Sequence, residues 1–325
     1  MTVVGPATVG GGAFDVLTLG EAMVSLRSPG PFALGRPLTP RLAGAESNVA
    51  IGLARLGHTV GWVGRVGRDE WGRLLLRELR AEGVDTSRVV LDDVAPTGLM
   101  FLEQRTADVS RVDYRRAGSA GSRLAAADVE VALSPAPRAL HLTGITPALS
   151  DGAREAATCA AEKASAAGAL VSLDVNFRSR LWNRAEAREA LAPLTRHTDL
   201  VIASDDELDL LGRGDEAAAV ASLLEAGVGR VAVKRGAAGA SIWTAEGRVD
   251  QLAFAVTAVD TVGAGDAFCA GLLSGILDGL DAAGSLRRAV TLGAFAVGTH
   301  GDWEGLPTRA DLDQFLHHLP GTTVR

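Results

Sequence analysis

The sequence has few cysteines, the residues whose disulfides stabilise small secreted domains, and it has no long apolar run. Only two cysteines occur among 325 residues, Cys159 and Cys269, and both lie in Ala-rich stretches of helical pattern. Such a pattern is typical of reduced thiols in a protein core and indicates neither a disulfide nor a metal site. No apolar run approaches the length that crosses a bilayer, so we expect no membrane span and no membrane partner.

Positive charge is also scarce, and lysine is nearly absent. The net charge is −7, and only two of the 32 basic residues are lysines, Lys163 and Lys234. No basic stripe offsets the repulsion between such a chain and a phosphate backbone, which argues against a nucleic-acid partner. Any anionic ligand must therefore be bound by a local arginine cluster. Because nearly every cation of this chain is an arginine, the presence of a lysine at a position is a stronger indication of function than the presence of an arginine.

The first fourteen residues are Gly-rich and mildly apolar, without the basic start or the apolar stretch of an export signal. We therefore expect residues 1–14 to form a disordered tail and the protein to be cytoplasmic. The following residues, 15–320, are enough for one large α/β core, and we expect a single domain there.

From Ala139 onward, short β-rich runs alternate with helical patterns. The runs ALHLT, LVSLD, LVIAS and VAVK are separated by helical stretches over 150–167, 185–196 and 215–226. This alternation predicts a mostly parallel sheet with helices on both faces. Ligands of such sheets bind at the carboxyl ends of the strands, where polar groups follow at 174–178, 204–207 and 234–236.

Two earlier stretches have a different pattern. The first, over 21–42, contains four prolines between Ser28 and Pro40, which exclude a helix or a central strand there. The second, over 97–116, alternates apolar and polar residues as an open antiparallel pair does. We expect these two stretches to contribute a small β lid.

The stretch DTVGAGDAF, residues 260–268, joins a β-branched run to a helical pattern through two glycines. The free N–H groups of a helix start bind anions, and Gly263 and Gly265 allow the backbone to approach a ligand closely. Asp266 then places a carboxylate at an anion site. On these residues alone, Asp266 can simply complement the helix dipole and the glycines can simply turn the chain. The other interpretation is phosphoryl transfer, in which amides including that of Ala264 hold charge and Asp266 accepts a hydroxyl proton.

The same nine residues closely resemble the second motif of the ribokinase-like (PfkB-type) carbohydrate kinases, Asp-Thr-x-Gly-Ala-Gly-Asp, which carries the anion hole and the catalytic base. The resemblance extends from about Asp15 to Leu319. It implies an α/β fold, the three-layer ribokinase-like sandwich, with ATP and Mg²⁺ as cofactors and a sugar as the acceptor. It also implies a homo-oligomer, either a dimer through the β lid or a larger assembly.

Three further segments are similar to the 2-keto-3-deoxygluconate kinases of that family: HLTGITPALS, VSLDVNFRSRLW and GSAGS at 118–122. This resemblance implies ATP-dependent phosphorylation of the terminal hydroxyl of 2-keto-3-deoxy-D-gluconate to 2-keto-3-deoxy-6-phosphogluconate. The alternative within the family is a kinase of a neutral sugar, such as a fructokinase or a ribokinase.

The resemblance implies a sugar-binding role for Gly44 and Asn48, in GAESN, although a glycine turn with a helix cap explains that segment equally well. Ala43 stands where the family has a first glycine. Asp302 occupies a position used for substrate in the acid-sugar kinases, and a simple turn is the alternative.

Three residues would orient the acid end of the sugar. Tyr114, the chain's one tyrosine, precedes Arg115 and Arg116 as in the Tyr-x-Arg of the family, and Arg178 ends its Asp-x-Asn-x-Arg segment. A guanidinium can hold a carboxylate through two parallel hydrogen bonds. A surface tyrosine and solvated arginines are the alternative interpretation.

The resemblance also implies a nucleotide side of the site. Asn176 lies near the phosphates and Glu207 holds hydrated Mg²⁺ through water, although an acid at a helix start is common for other reasons. Ser204 stands where the family has an asparagine. The nucleotide-binding turn consists of Lys234, Arg235, Gly236 and Gly239, together with the glycine turn Gly263, Ala264 and Gly265. A plain β-hairpin is the alternative for the first of these turns.

Two other classes of function remain to be weighed. A dinucleotide-binding oxidoreductase would use a glycine turn early in the chain, with a third glycine and an acidic residue about twenty positions later, and the turn at Gly263 has none of these. A sugar-sensing protein without catalysis would not need Asp266.

Overall fold

The computed structural model describes residues 14–106 and 109–317. Apart from Phe14, the predicted tail lies outside these ranges, as do the last three residues of the predicted domain. In the part of the chain that is described, no helix is long and apolar enough to cross a membrane.

The strands, in chain order, form a large central sheet, a small sheet and a two-stranded pair. They are β1 (Val16–Leu19), β2 (Met23–Ser28), β3 (Thr39–Ala43), β4 (Val60–Val63), β5 (Arg65–Gly67), β6 (Val90–Asp92), β7 (Leu99–Thr106), β8 (Val109–Arg115), β9 (Ala139–Thr143), β10 (Leu170–Asp174), β11 (Leu200–Ser204), β12 (Arg230–Lys234), β13 (Ala240–Thr244) and β14 (Gly247–Gln251). The central sheet has the order β14-β13-β12-β11-β10-β9-β1-β4. It is parallel from β4 to β12 and ends in an antiparallel hairpin of β13 and β14, which confirms the mostly parallel sheet.

Helices cover both faces of this sheet. They are α1 (Ala45–Arg55), α2 (Glu70–Ala81), α3 (Ala126–Ala132), α4 (Asp151–Ala166), α5 (Arg184–Thr195), α6 (Glu216–Glu225), α7 (Ala264–Leu277), α8 (Ala282–Val297) and α9 (Arg309–His317). On one face α1, α7 and α8 pack together, and on the other face α4 packs on β9 and β10 and α6 on β12. Because side chains alternate along a strand, Leu200 and Ile202 enter one core while Val201 and Ala203 enter the other. The predicted three-layer sandwich is confirmed.

The small sheet has the order β3-β2-β7-β8, with β2 and β7 parallel and both outer pairs antiparallel. Its strands fall in the two stretches that predicted a β lid, and we call it the lid sheet. Pro40 lies in the edge strand β3, where its missing N–H group removes no hydrogen bond from the sheet interior.

Two helices that carry predicted site residues begin directly after a glycine. They are α1, which begins at Ala45, and α7, which begins at Ala264. In both cases the glycine is the N-cap residue, which offers no side-chain oxygen to mark the boundary. Asn48 and Asp266 lie in the first turns of these helices.

Candidate active site

The N-terminus of α7 forms an anion-binding turn. Gly263 caps the helix with φ of 77°, and a Cβ atom on it would lie 1.8 Å from the carbonyl oxygen of Asp302, so only glycine fits there. The first amides of a helix have no intrahelical carbonyl partner, although the amide of Ala264 makes a long contact of 3.4 Å with the carbonyl of Thr261. Ala264, Gly265 and Asp266 all line a cleft. The turn can therefore offer several N–H groups to one anion.

Asp266 is a buried carboxylate in this turn. Its Oδ2 atom accepts a hydrogen bond of 2.8 Å from Nδ2 of Asn48. Burial, with a smaller contribution from the nearby carboxylate of Asp174, raises the pKa of Asp266 to about 7, against the lowering effects of the Asn48 hydrogen bond, Arg178 and Lys234. A carboxylate with a pKa near neutrality is suited to accept a proton at the pH of a cell.

Lys234 places a fixed cation beside the same turn. Its Nζ atom lies 2.7 Å from Oδ1 of Asp174, and a Cβ atom on Gly265 would lie 3.6 Å from Nζ. Burial alone would lower the pKa of Lys234, but the attraction and hydrogen bond of Asp174, together with other nearby groups such as Glu207, outweigh burial and raise the pKa. Cys269 donates to the other carboxylate oxygen of Asp174 at 3.4 Å. The ammonium group is therefore charged and held in place.

The cleft has a volume of about 980 Å³, the upper end of the usual range for ligand pockets. It brings together every residue predicted for the nucleotide side and for catalysis, and with them Arg178, a residue predicted for the acid end of the sugar. The nucleotide and catalytic residues are Asn176, Ser204, Glu207, Lys234, Arg235, Gly236, Gly239, Gly263, Ala264, Gly265 and Asp266. Its other walls are mainly apolar and include Ala253, Phe254, Val256, Val290 and Val297.

The side chains of Glu207 and Arg235 are also bound by other groups of the protein. The carboxylate of Glu207, which precedes a short 3₁₀ helix, accepts from the amides of Phe177 at 2.7 Å and Ser204 at 2.8 Å, so it joins the ends of β10 and β11. The guanidinium of Arg235 contacts Glu216 at 2.5 Å. A ligand in the cleft can therefore contact the backbone of Arg235, whose guanidinium is already paired.

The predicted sugar-binding residues Gly44, Asn48, Tyr114 and Arg116 lie outside the lining of the cleft, and we call the region they form the acceptor compartment. It adjoins the cleft at Asp266, because Asn48 contacts that carboxylate. Gly44 has φ of 153°, and a Cβ atom on it would lie 2.6 Å from the carbonyl oxygen of Glu21. The Oδ1 atom of Asn48 is buried without a hydrogen-bond partner among the described residues, so it is free to accept from a ligand.

Two buried carboxylates at this edge of the sheet were missed. Glu21 pairs with Arg116 at 2.5 Å. Glu46, whose pKa is raised by burial, accepts from Thr143 at 2.6 Å and Thr146 at 2.8 Å. Glu21 lies two residues after the end of β1, so the rule that strand ends carry function would have identified it.

Asp302 is buried, and its carboxylate pairs with Arg27 of the lid strand β2. Burial raises its pKa to about 6, against the lowering effect of Arg27. Arg27 also lies 3.4 Å from Asp260, which precedes the anion-binding turn. The lid sheet is therefore joined to both segments that flank Gly263.

Residues 15–309 match the family described as pfkB family carbohydrate kinase. The chain belongs to this family. It is 38% identical to a 2-dehydro-3-deoxygluconokinase of Bacillus subtilis over 93% of this chain and 95% of that protein. It is 35% identical to one of Thermoproteus tenax over 94% of this chain and 95% of that protein. A putative ribokinase II from E. coli, solved in complex with ATP and Mg²⁺, has a TM-score of 0.86 and 27% identity, covering 94% of this chain and 99% of its own.

Membership in the pfkB family decides between the classes that the sequence left open. The glycine turn at Gly263 belongs to a carbohydrate kinase and not to a dinucleotide-binding oxidoreductase. The turn that carries the family motif, Asp266 and Lys234 all line the same cleft.

Proposed function

We propose that this kinase transfers the γ-phosphoryl group of ATP to the terminal hydroxyl of 2-keto-3-deoxy-D-gluconate, giving 2-keto-3-deoxy-6-phosphogluconate. The observation that carries the proposal is the buried carboxylate of Asp266, which lies in the anion-binding turn and contacts Asn48 of the acceptor compartment. The two similar kinases are named for the same sugar acid, 2-dehydro-3-deoxygluconate, which supports this acceptor.

In the proposed reaction Asp266 accepts the proton of the attacking hydroxyl. Asn48 keeps the carboxylate in place through its 2.8 Å hydrogen bond. Amides of Ala264, Gly265 and Asp266 stabilise negative charge on the transferred group, and the fixed ammonium of Lys234 adds to this field. The contribution of the protein is thus mainly positioning and electrostatic stabilisation.

The cleft suits ATP and Mg²⁺. Its apolar walls can hold an adenine ring, and the amides of the α7 turn and the glycines Gly236 and Gly239 can approach the phosphates. The described residues contain no group of three or more His, Cys, Asp and Glu side chains placed to hold a metal. Mg²⁺ does not need such a group, because it usually keeps several waters and binds the phosphates of its ligand. The ion would neutralise charge on the phosphates.

Glu207 would act on the hydrated ion through water, with Asn176 and Ser204 close to the phosphates. Asn176 follows β10 and has φ of 39°, a strained conformation that asparagine tolerates better than most residues and that is common at functional sites. Glu207 is fixed by two backbone amides, as an outer-sphere group should be.

Arginine side chains are available to bind the carboxylate at the acid end of the sugar. Arg178 lines the cleft near Asp266, and it forms no ion pair with residues 14–106 or 109–317. Tyr114 and Arg116 lie together, with the guanidinium 5.6 Å from the ring centroid. We propose that these three residues recognise the carboxylate of the substrate. We also propose that Asp302, whose backbone lies next to Gly263, takes part in binding the sugar.

A sugar panel tests the acceptor. We expect kcat/KM for 2-keto-3-deoxygluconate to exceed that for fructose or ribose at least tenfold, since one well-placed charged hydrogen bond is worth about 1.5–3 kcal/mol. ADP release in a coupled assay measures this across 2-keto-3-deoxy acids, hexoses and pentoses. Equal or higher kcat/KM for fructose or ribose would support the fructokinase or ribokinase alternative.

We also propose a cytoplasmic homodimer that assembles through the lid sheet. The lid region exposes large apolar side chains, including Phe32, Leu34 and Val109, which is more than a surface without a partner needs. Light scattering of the purified protein should give twice the chain mass, and a monomer at all concentrations would contradict this proposal.

A further inference from the structure

A buried carboxylate lies beneath the acceptor compartment and has no part in the reaction proposed above. The Glu21 side chain is 0% exposed. One carboxylate oxygen accepts from Nε of Arg116 at 2.8 Å and from its Nη2 at 2.5 Å, and the other accepts from the hydroxyl of Ser119 at 2.5 Å. Gly98 and Gly121 make room for it, since Cβ atoms there would lie 2.7 Å and 2.3 Å from Glu21 side-chain atoms.

These contacts fix the guanidinium of Arg116. A free arginine has many rotamers, and ordering one costs entropy that reduces the affinity for its ligand. Here Nε and Nη2 are bound by Glu21, and the Tyr114 ring lies 5.6 Å from the guanidinium carbon. Nη1 has no hydrogen-bond partner within residues 14–106 and 109–317, and the side chain keeps 12% of its surface exposed. Arg116 is therefore held with one edge left for a ligand.

The start of α1 connects Arg116 to the reacting end of the site. The carbonyl of Glu21, whose side chain binds Arg116, lies next to Gly44, the N-cap residue of α1. Asn48 lies four residues further on and contacts Asp266. A sugar acid bound along the first turn of α1 would direct its carboxylate toward Arg116 and its terminal hydroxyl toward Asp266.

We propose that Glu21 is a positioning residue that gives this kinase its selectivity for acid sugars by holding Arg116. The inference rests on the proposed function, because Arg116 must bind the substrate carboxylate. Glu21 itself does not touch the sugar, since its side chain is covered on all sides. Its negative charge also balances the buried guanidinium, so the pair costs less to bury than an isolated cation would.

The competing explanation is structural. Glu21 precedes β2 and Arg116 follows β8, so the pair could serve only to attach the lid sheet to the central sheet. A structural attachment would change stability, and it would change the kinetic constants for both substrates together. Positioning would change the KM of the acid sugar alone.

Glu21→Gln separates the two explanations because it keeps the shape and the contact with Ser119 but removes the charge. We expect the KM for 2-keto-3-deoxygluconate to rise at least tenfold, with kcat and the KM for ATP within twofold of wild type. In the Arg116→Ala background the same change should add less than a factor of two, since Glu21 acts through Arg116. The matched control is Glu103→Gln, which changes another buried lid carboxylate, paired with Arg105 at 2.9 Å, and should leave the sugar KM within twofold.

An unchanged sugar KM in Glu21→Gln, an equal change in the KM for ATP, or additive effects with Arg116→Ala would overturn the inference. If Glu21→Gln does not fold, Ser119→Ala replaces it, since it removes one contact to Glu21 and leaves the charge. That variant should raise the sugar KM about threefold, and an unaltered value would again reject the role of Glu21. A wild-type enzyme that does not phosphorylate 2-keto-3-deoxygluconate rejects the proposed function and this inference together, an outcome visible before any variant is made.

Discussion

Asp266→Asn is expected to lower kcat by a factor of about 10²–10⁴, the usual contribution of a general base. Asparagine keeps the shape of the side chain and a partner for Asn48, whose hydrogen bond to Asp266 measures 2.8 Å, but it cannot take up the hydroxyl proton. The KM values for ATP and sugar should change less than threefold. Steady-state kinetics by ADP release measure all three constants.

The pH profile checks the same assignment. The proton acceptor must be ionised, and burial raises the pKa of Asp266 to about 7, so kcat/KM of the wild type should fall as the pH drops below about 7. This acidic limb should be missing in Asp266→Asn.

The raised pKa of Asp266 also affects stability, because the folded protein binds this proton more tightly than the unfolded chain does. Its stabilising contribution is therefore present below the usual pKa and is lost as pH rises toward 7, so the variant should be no less stable than wild type at pH 8.

Asp278→Asn is the matched control, because Asp278 is the carboxylate at the opposite end of α7. It pairs with Arg288 at 2.5 Å and Arg309 at 2.7 Å, and its pKa is lowered to about 2 in spite of the opposing effect of burial. This change should reduce stability and leave kcat unaltered. Turnover near wild type in Asp266→Asn would remove Asp266 from the role of base, whatever the control shows.

Much of the fold could be predicted because its signals are local. The β-rich runs and helical patterns after Ala139 have periods that a short window of sequence contains, and β9 to β12 lie where these runs predict them. The anion-binding turn was equally accessible, since two glycines and an acid within four residues define its chemistry. The string also identified the family to which the chain belongs.

The charge pairs of the site could not be predicted, because they join residues that are distant in sequence. Lys234 and Asp174 are 60 positions apart, Arg116 and Glu21 are 95 apart, and Arg27 and Asp302 are 275 apart. Which acid meets which base depends on the order of the strands and on the position of the lid sheet. With 30 arginines among its basic residues, the composition could not single out the important partners.

Lys234→Met is the second change with a large expected effect. It removes the cation beside the anion-binding turn and leaves Asp174, which is 1% exposed, as a buried charge without its partner. We expect kcat to fall by about 10²–10³, as when one preorganised donor to a developing charge is lost. Breaking a buried ion pair from one side should also lower the free energy of unfolding by about 3–5 kcal/mol. Steady-state kinetics and chemical denaturation measure the two effects separately.

Lys163→Met provides a close control, since Lys163 is the only other lysine of the chain. It lies in α4 and pairs with the exposed Glu130 at 3.3 Å, so its loss should change stability by less than about 1 kcal/mol and leave kcat unaltered. Any large loss seen with Lys234→Met but not with Lys163→Met belongs to the site and not to the removal of a lysine.

The double variant Lys234→Met with Asp174→Asn decides what Lys234 does. Asparagine in place of Asp174 removes the unpaired buried charge, so most of the lost stability should return. Turnover should stay low, because no cation then faces the transferred phosphoryl group. If the double variant recovered both stability and turnover, Lys234 would serve only to neutralise Asp174, and the amides of the α7 turn would carry the electrostatic stabilisation by themselves.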